Sequence, residues 1–193
     1  MFKRVLVLIA CLFVLSSSCS FGMNVKSFSD DSRIVKALAL LDNVGATDVF
    51  ENLQENSVKI IFYDLSHISF KYQNHFAINS TDTWGNRYIL INTKYMNAPT
   101  EQIACLIAHE SCHKGKVATL AEETYATRTE ARYWQALKHH NHNYENTALT
   151  NRLNSLAKLE SETTVNHHDY IQDRISNSRF YQSQLAVRER RAF

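Results

Sequence analysis

The chain has 193 residues, a length that fits one globular domain plus an export segment. Its hydrophobic content of 45% and charged content of 21% are ordinary for a protein that buries a core. The net charge of +2 excludes strong electrostatic attraction to a polyanion, so we expect no nucleic-acid partner. Four glycines and one proline give few helix breaks, so we expect a helix-rich α+β fold with a small sheet.

The first 20 residues have the composition of a signal peptide. Two basic residues, Lys3 and Arg4, precede an apolar run at 5–15 and small residues at 16–20. This apolar run is shorter than the roughly 20 residues that cross a bilayer, so no transmembrane span is expected in the mature chain. The segment is either removed by signal peptidase or supplies a lipid anchor at Cys19 or Cys11. We therefore expect a periplasmic, secreted or envelope-anchored protein.

The first half of the mature chain is predicted to contain helices followed by strands. Helical spacing of apolar residues predicts two helices, at Ser29–Asn43, capped by Ser29 or Asp30, and at Asp48–Gln54. Strand-forming composition predicts four strands, at Val58–Leu65, Ser69–Tyr72, 74–79 and 87–92. The last two are expected to form a hairpin, because Gly85 and Asn86 between them favour a turn.

The second half is predicted to be helical. After Pro99 a helix runs to His113, and Gly115 stops it. Thr119 followed by Glu122 fits a capping box that begins the next helix, which runs to about residue 140. Further helices are predicted at 145–160 and 170–190. Residues 21–193 are thus expected to form a single domain, with its core at about 58–140 and the extra helices after it.

Two cysteines of the mature chain lie on the helix after Pro99. Cys105 and Cys112 are seven residues apart, or about 10 Å along a helix. A disulfide needs Cα atoms within about 7 Å of each other, so we predict that these two are not bonded.

His109 to His113 read HESCH, an HExxH motif. Two histidines four residues apart project from one face of a helix and can bind one Zn²⁺. Glu110 lies about 100° around the helix, beside the metal, where it can take a proton from a metal-bound water. The alternative is a pair of histidines that make hydrogen bonds in the core. We predict one Zn²⁺ held by His109 and His113, with Glu110 as catalytic base.

A catalytic zinc site needs a third protein ligand and one open position. A histidine six residues after the motif, with a glycine between, is excluded because Thr119 and Lys116 stand there. The next helix carries three carboxylates, Glu122, Glu123 and Glu130. Glu122 belongs to the capping box, whereas Glu123 begins the face predicted to pack inward. We predict Glu123 as third ligand and Glu130 as a residue that orients a ligand histidine, with Glu130 or Glu122 as alternative ligands.

HESCH followed by EETYA resembles the zincin superfamily, specifically the gluzincin type with His, His and Glu ligands. The resemblance extends over about Val58 to Leu137, and HExxH is its specific part. It implies a zincin-like domain in which a small antiparallel sheet packs on the HExxH helix, and an edge strand pairs with the substrate backbone. It also implies zinc-dependent hydrolysis of a peptide or protein. The alternatives are a non-catalytic zinc-binding structural or interaction protein of the cell envelope, and an exported helical protein without metal.

Overall fold

The computed structural model describes residues 24–115, 118–138 and 143–178. The predicted signal peptide with Cys11 and Cys19, and the part of the last predicted helix after residue 178, lie outside these residues. Among the residues described, no helix has both the length and the apolar composition needed to cross a bilayer.

The predicted α+β class is confirmed. The described residues form six α-helices: α1 Ser32–Asn43, α2 Thr47–Glu55, α3 Thr100–Ser111, α4 Leu120–Leu137, α5 Ala148–Asn166 and α6 Tyr170–Asn177. They also form three strands: β1 Lys59–Tyr63, β2 Ala77–Thr81 and β3 Arg87–Asn92.

The sheet is mixed, so the expectation of a wholly antiparallel sheet is wrong. β3 lies in the centre, antiparallel to β2 and parallel to β1. The hairpin of β2 and β3 was predicted from its turn residues. The direction of β1 was not predictable from its composition, because strand propensity is the same in both directions. Twenty-three residues separate β1 from β3 in the chain, enough for the crossover that a parallel pair requires.

Three local predictions are also wrong. Ser69–Tyr72, predicted as a strand, contains a 3₁₀ turn at Phe70–Tyr72; the Phe70 side chain is 78% exposed and gains nothing from strand packing. Helix α1 is capped by Asp31, which accepts from the Arg33 amide, because the Ser29 hydroxyl is already bonded to the Asp31 amide. Helix α4 ends at Leu137 rather than near residue 140, because Lys138 is extended.

Helix α3 is the central element of the core. Every residue from Gln102 to Ser111 is buried, because α3 packs against α1, α4 and the sheet. Cys105 and Cys112 are both free and buried. The predicted extension of this helix to His113 is wrong: α3 ends at Ser111, and the Ser111 and Cys112 side chains both bond back to the Ala108 carbonyl.

Candidate metal centre

The C-terminal end of α3 brings the two motif histidines together inside the protein. His109 lies in the last turn of the helix, and His113 lies two residues beyond its end. Their ring centroids are nevertheless 5.2 Å apart. Each histidine is 7% exposed, so both rings are almost entirely removed from solvent.

Helix α4 places a carboxylate against both rings. Its N-cap is Thr119, whose hydroxyl accepts from the Glu122 amide as the capping box predicts. Glu123, in the first turn, is 4% exposed. Its two oxygens lie 3.8 Å from His109 Nε2 and 3.7 Å from His113 Nε2. The packing of α4 on α3 therefore joins three buried side chains at one point.

These three side chains could hold a metal ion. One ligand atom from each lies within 4.8 Å of the other two. Ligands at 2.0–2.1 Å from one zinc ion in a tetrahedron are about 3.3 Å apart. The Glu123 oxygens, at 3.8 and 3.7 Å from the two Nε2 atoms, are within about 0.5 Å of that spacing. Glu123 Oε2 is buried and has no hydrogen-bond partner among the described residues. A buried carboxylate oxygen without a donor fits a cation.

The outward ring nitrogens face two further carboxylates. Glu130 Oε2 lies 3.0 Å from His109 Nδ1, and Glu122 Oε1 lies 3.5 Å from His113 Nδ1. Carboxylates in this position turn the Nε2 atoms of both rings toward Glu123 and the metal position. Glu122 also accepts from the Lys114 amide at 2.7 Å. Neither Glu130 nor Glu122 lies among the three potential ligands.

An arginine on α5 neutralises Glu130. Glu130 is fully buried, and Arg152 donates to both of its oxygens, at 3.0 and 2.6 Å. Burial alone would raise the pKa of Glu130, but Arg152 and His109 outweigh it and lower the pKa to about 2. An unpaired buried carboxylate is costly, so Glu130 needs a cationic partner. The sequence alone did not identify that partner as Arg152, which is 22 residues away.

Glu110 is buried beside the two motif histidines but is not one of the three potential ligands. Burial raises its pKa, the positive potential of His109 and His113 lowers it, and Glu123 and Glu130 raise it; the net shift is upward. A carboxylate with a raised pKa is a stronger base than an ordinary glutamate. Glu110 therefore has the chemistry of a proton acceptor at this centre.

Two residues of the hairpin, which sequence reasoning missed, contact the end of α3. Asn79 Nδ2 donates to the carbonyls of Glu110 and His113, at 3.1 and 3.4 Å. Arg87 donates to the His113 carbonyl and, at 3.2 Å, to Asn79 Oδ1. Neither residue stands in a recognisable motif. The strand alternation could indicate only that both lie on the same face.

Metal binding is expected to release a proton from His113. Burial alone would lower the pKa of the His113 ring, but Glu122, Glu110 and Glu123 outweigh burial and raise the pKa to about 9. At pH 7 the metal-free ring is thus protonated and must lose that proton to become a ligand. We expect about one proton released per metal ion at pH 7, and a Kd that rises about tenfold per pH unit as the pH falls from 9 to 7.

Calorimetry in two buffers of different ionisation enthalpy measures this proton release. His67→Ala, which removes an exposed ring outside the centre, should behave as the unaltered chain does. A Kd that is constant between pH 7 and 9, without proton release, would contradict the prediction.

Comparisons of the chain with protein-family models, with curated proteins and with solved structures find no match. The functional interpretation therefore rests on the residues of the centre and on their geometry.

Proposed function

We propose that this chain is an exported zinc-dependent peptidase that hydrolyses peptide bonds in peptides or proteins. The observation that carries the proposal is the convergence of His109, His113 and Glu123, with the acidic side chain of Glu110 beside them and not among the potential ligands. A site that only binds a metal has no use for such a base. Export is supported by the composition of residues 1–20.

The donor set favours zinc over the abundant alkaline-earth ions. Mg²⁺ and Ca²⁺ are bound mainly by oxygen, whereas imidazole nitrogen suits zinc and its neighbours in the transition series. Two imidazoles and one carboxylate match the protein ligands of several catalytic zinc sites. Within the described residues the group contains three donors, which leaves a coordination position for water or substrate.

A zinc ion at this centre would polarise the scissile carbonyl and lower the pKa of the attacking water. Glu110 accepts one proton from that water as its oxygen bonds to the carbonyl carbon. Glu110 then gives this proton to the nitrogen of the leaving amine as the C–N bond breaks. His109 and His113 are held for this task by Glu130 and Glu122, which contact their outward nitrogens.

Strand β2 offers a place for an extended substrate. It is an outer strand of the sheet, and its Asn79 side chain reaches the end of α3, so the strand lies beside the metal centre. An extended peptide could pair with the outer edge of β2 by main-chain hydrogen bonds. Such pairing would bring successive peptide bonds past Glu110.

A second candidate function is a non-catalytic zinc site of a structural or interaction protein. It is favoured by burial, because the ligand side chains keep only 5–9% of their exposure. A structural zinc site closes its fourth position with a protein ligand, whereas a catalytic one admits water. Turnover that depends on the metal separates these two functions.

We expect the purified chain to contain about one zinc ion and to cleave an unfolded protein such as labelled casein. Removal of zinc by a chelator should abolish cleavage, because the attacking water then keeps its ordinary pKa. Added Zn²⁺ should restore activity, whereas added Mg²⁺ should not. Metal content and fluorescence release measure both effects. Undiminished cleavage by chelated protein would refute the proposal.

Glu123→Ala is the matched variant for this experiment. Zinc binding to a four-ligand site has a free energy of about 10–16 kcal/mol, shared among its ligands. Loss of one ligand should therefore weaken zinc binding by about 10²–10³-fold. Glu51→Ala, which removes an exposed glutamate of α2, should bind zinc and cleave as the unaltered chain does. Normal zinc content in Glu123→Ala would exclude this residue as a ligand.

A further inference from the structure

The end of α3 is buried, so its terminal carbonyl groups need partners inside the protein. The last four carbonyls of a helix accept no hydrogen bond from an amide of that helix, and buried backbone oxygens are nearly always hydrogen-bonded. Ser111, Cys112 and His113 are all buried. The Ala108 carbonyl is satisfied locally, by the Ser111 and Cys112 side chains. The Glu110 and His113 carbonyls are reached from the sheet.

Asn79 and Arg87 together form what we call the carbonyl clamp. They lie diagonally across the hairpin, where Asn79 is opposite Ile89 and Arg87 is opposite Thr81, so both project from one face. The Asn79 side-chain nitrogen donates to two carbonyls at the end of α3, and the Asn79 side-chain oxygen accepts from Arg87. Arg87 also donates to the His113 carbonyl. The clamp is thus connected internally as well as to α3.

The clamp acts where the helix itself no longer positions the chain. His113 follows the last residue of α3 by two positions, so the helical hydrogen-bond pattern does not determine where its ring points. Its amide makes only a 3.3 Å bond to the Glu110 carbonyl. The clamp holds both of the carbonyls that bracket this turn, those of Glu110 and His113. The placement of one potential ligand thus depends on the sheet.

We propose that Asn79 and Arg87 are positioning residues of the metal centre, which act by holding the backbone of His113 so that its Nε2 meets Glu123. The inference rests on one part of the proposed function, the binding of a metal ion by His109, His113 and Glu123. On this proposal the clamp and the bound metal stabilise each other. If the clamp favours metal binding, metal binding must stabilise the clamp by the same free energy.

The test compares zinc affinity and coordination in three variants. Arg87→Met and Asn79→Ala should weaken zinc binding by about 10–100-fold, the usual effect of losing a residue that orients a ligand. Both should alter the visible absorption spectrum of the Co²⁺-substituted protein, because the His113 ring shifts. Arg87→Lys, which keeps a charged donor, should recover part of the affinity.

Arg33→Met is the matched control. Arg33 also donates to a backbone carbonyl, that of Met96, but it stands on α1 outside the metal centre. This variant should keep the zinc Kd and the Co²⁺ spectrum. If Arg87→Met and Asn79→Ala lower the Tm but leave both readouts unchanged, the clamp is only a cap for α3 and the inference is overturned.

Hydrogen exchange tests the inference without any measurement of peptide cleavage. In the unaltered chain, zinc should slow amide exchange in β2 and β3; unchanged exchange would overturn the inference even if a variant fails to fold. A chain that binds zinc but cleaves no peptide refutes the proposed function and leaves the clamp intact. A chain that binds no zinc refutes the proposed function and overturns the inference as well.

Discussion

Replacing Glu110 by glutamine should slow peptide cleavage strongly and leave about one zinc ion bound per chain. Glutamine has the shape of glutamate but cannot accept the proton, and general-base catalysis contributes about 10²–10⁴-fold in rate. Glu110 is not among the potential ligands, so the metal should remain. We expect kcat/KM to fall by this factor. Steady-state kinetics and metal analysis of the same preparation measure both quantities.

The variant should also fold at least as well as the unaltered chain. Glu110 is buried, and its raised pKa reports that its ionised form is disfavoured there, in part by Glu123 and Glu130. A neutral amide removes that unfavourable charge. Glu101→Gln, at the other end of α3, is the matched control and should cleave normally. Unchanged cleavage in Glu110→Gln would show that another group is the base, and loss of zinc would make Glu110 a ligand.

Replacing Arg152 by methionine should destabilise the protein by about 3–5 kcal/mol. Arg152 is the charge partner of the fully buried Glu130, and breaking a buried pair leaves an uncompensated charge. The double variant Arg152→Met with Glu130→Gln should recover most of this loss, because no buried charge then remains. Urea denaturation of metal-free protein at pH 7 measures the free energies of unfolding.

The Arg152–Glu130 pair also predicts that the free energy of unfolding falls in acid. Folding lowers the pKa of Glu130 from 4.5 to about 2. Its contribution is therefore complete above pH 4.5 and is lost as the pH falls toward 2. A shift of this size corresponds to about 3 kcal/mol. The double variant should lack this part of the acid destabilisation.

Lys158→Met is the control, because Lys158 pairs with Glu162 on the exposed side of α5. Exposed pairs contribute about 0–1 kcal/mol, so this variant should be nearly neutral. If Arg152→Met is no more destabilised than Lys158→Met, the buried pair does not stabilise the fold as the contacts indicate.

Features encoded by near neighbours in the chain were predictable. The turn residues of the β2–β3 hairpin and the capping box at Thr119 each lie within a few positions of the structure they specify. The proximity of His109, His113 and Glu123 was also predicted from four-residue spacing and the first turn of the next helix, although His113 lies two positions beyond the end of α3.

Features that depend on contacts distant in the chain were not predictable. Asn79 meets the Glu110 carbonyl from 31 residues away, and Arg152 meets Glu130 from 22 residues away. An isolated asparagine or arginine has no pattern that names its partner. The end of α3 was not predictable for the same reason. Helical periodicity extends through His113, whereas the helix of the folded chain ends at Ser111.

The charges around the candidate metal centre would make the stability of the fold depend on the supply of metal. Four glutamates, Glu110, Glu122, Glu123 and Glu130, surround two histidines, and Arg152 on α5 pairs with one of them, Glu130. A divalent ion would offset this excess of negative charge. If it binds only the folded chain, at a concentration 100 times its Kd it would add about 2.7 kcal/mol to stability. If the proposed zinc binding is right, more copies of the chain should unfold and be degraded where zinc is scarce. The amount of the protein would then report how much zinc its surroundings hold.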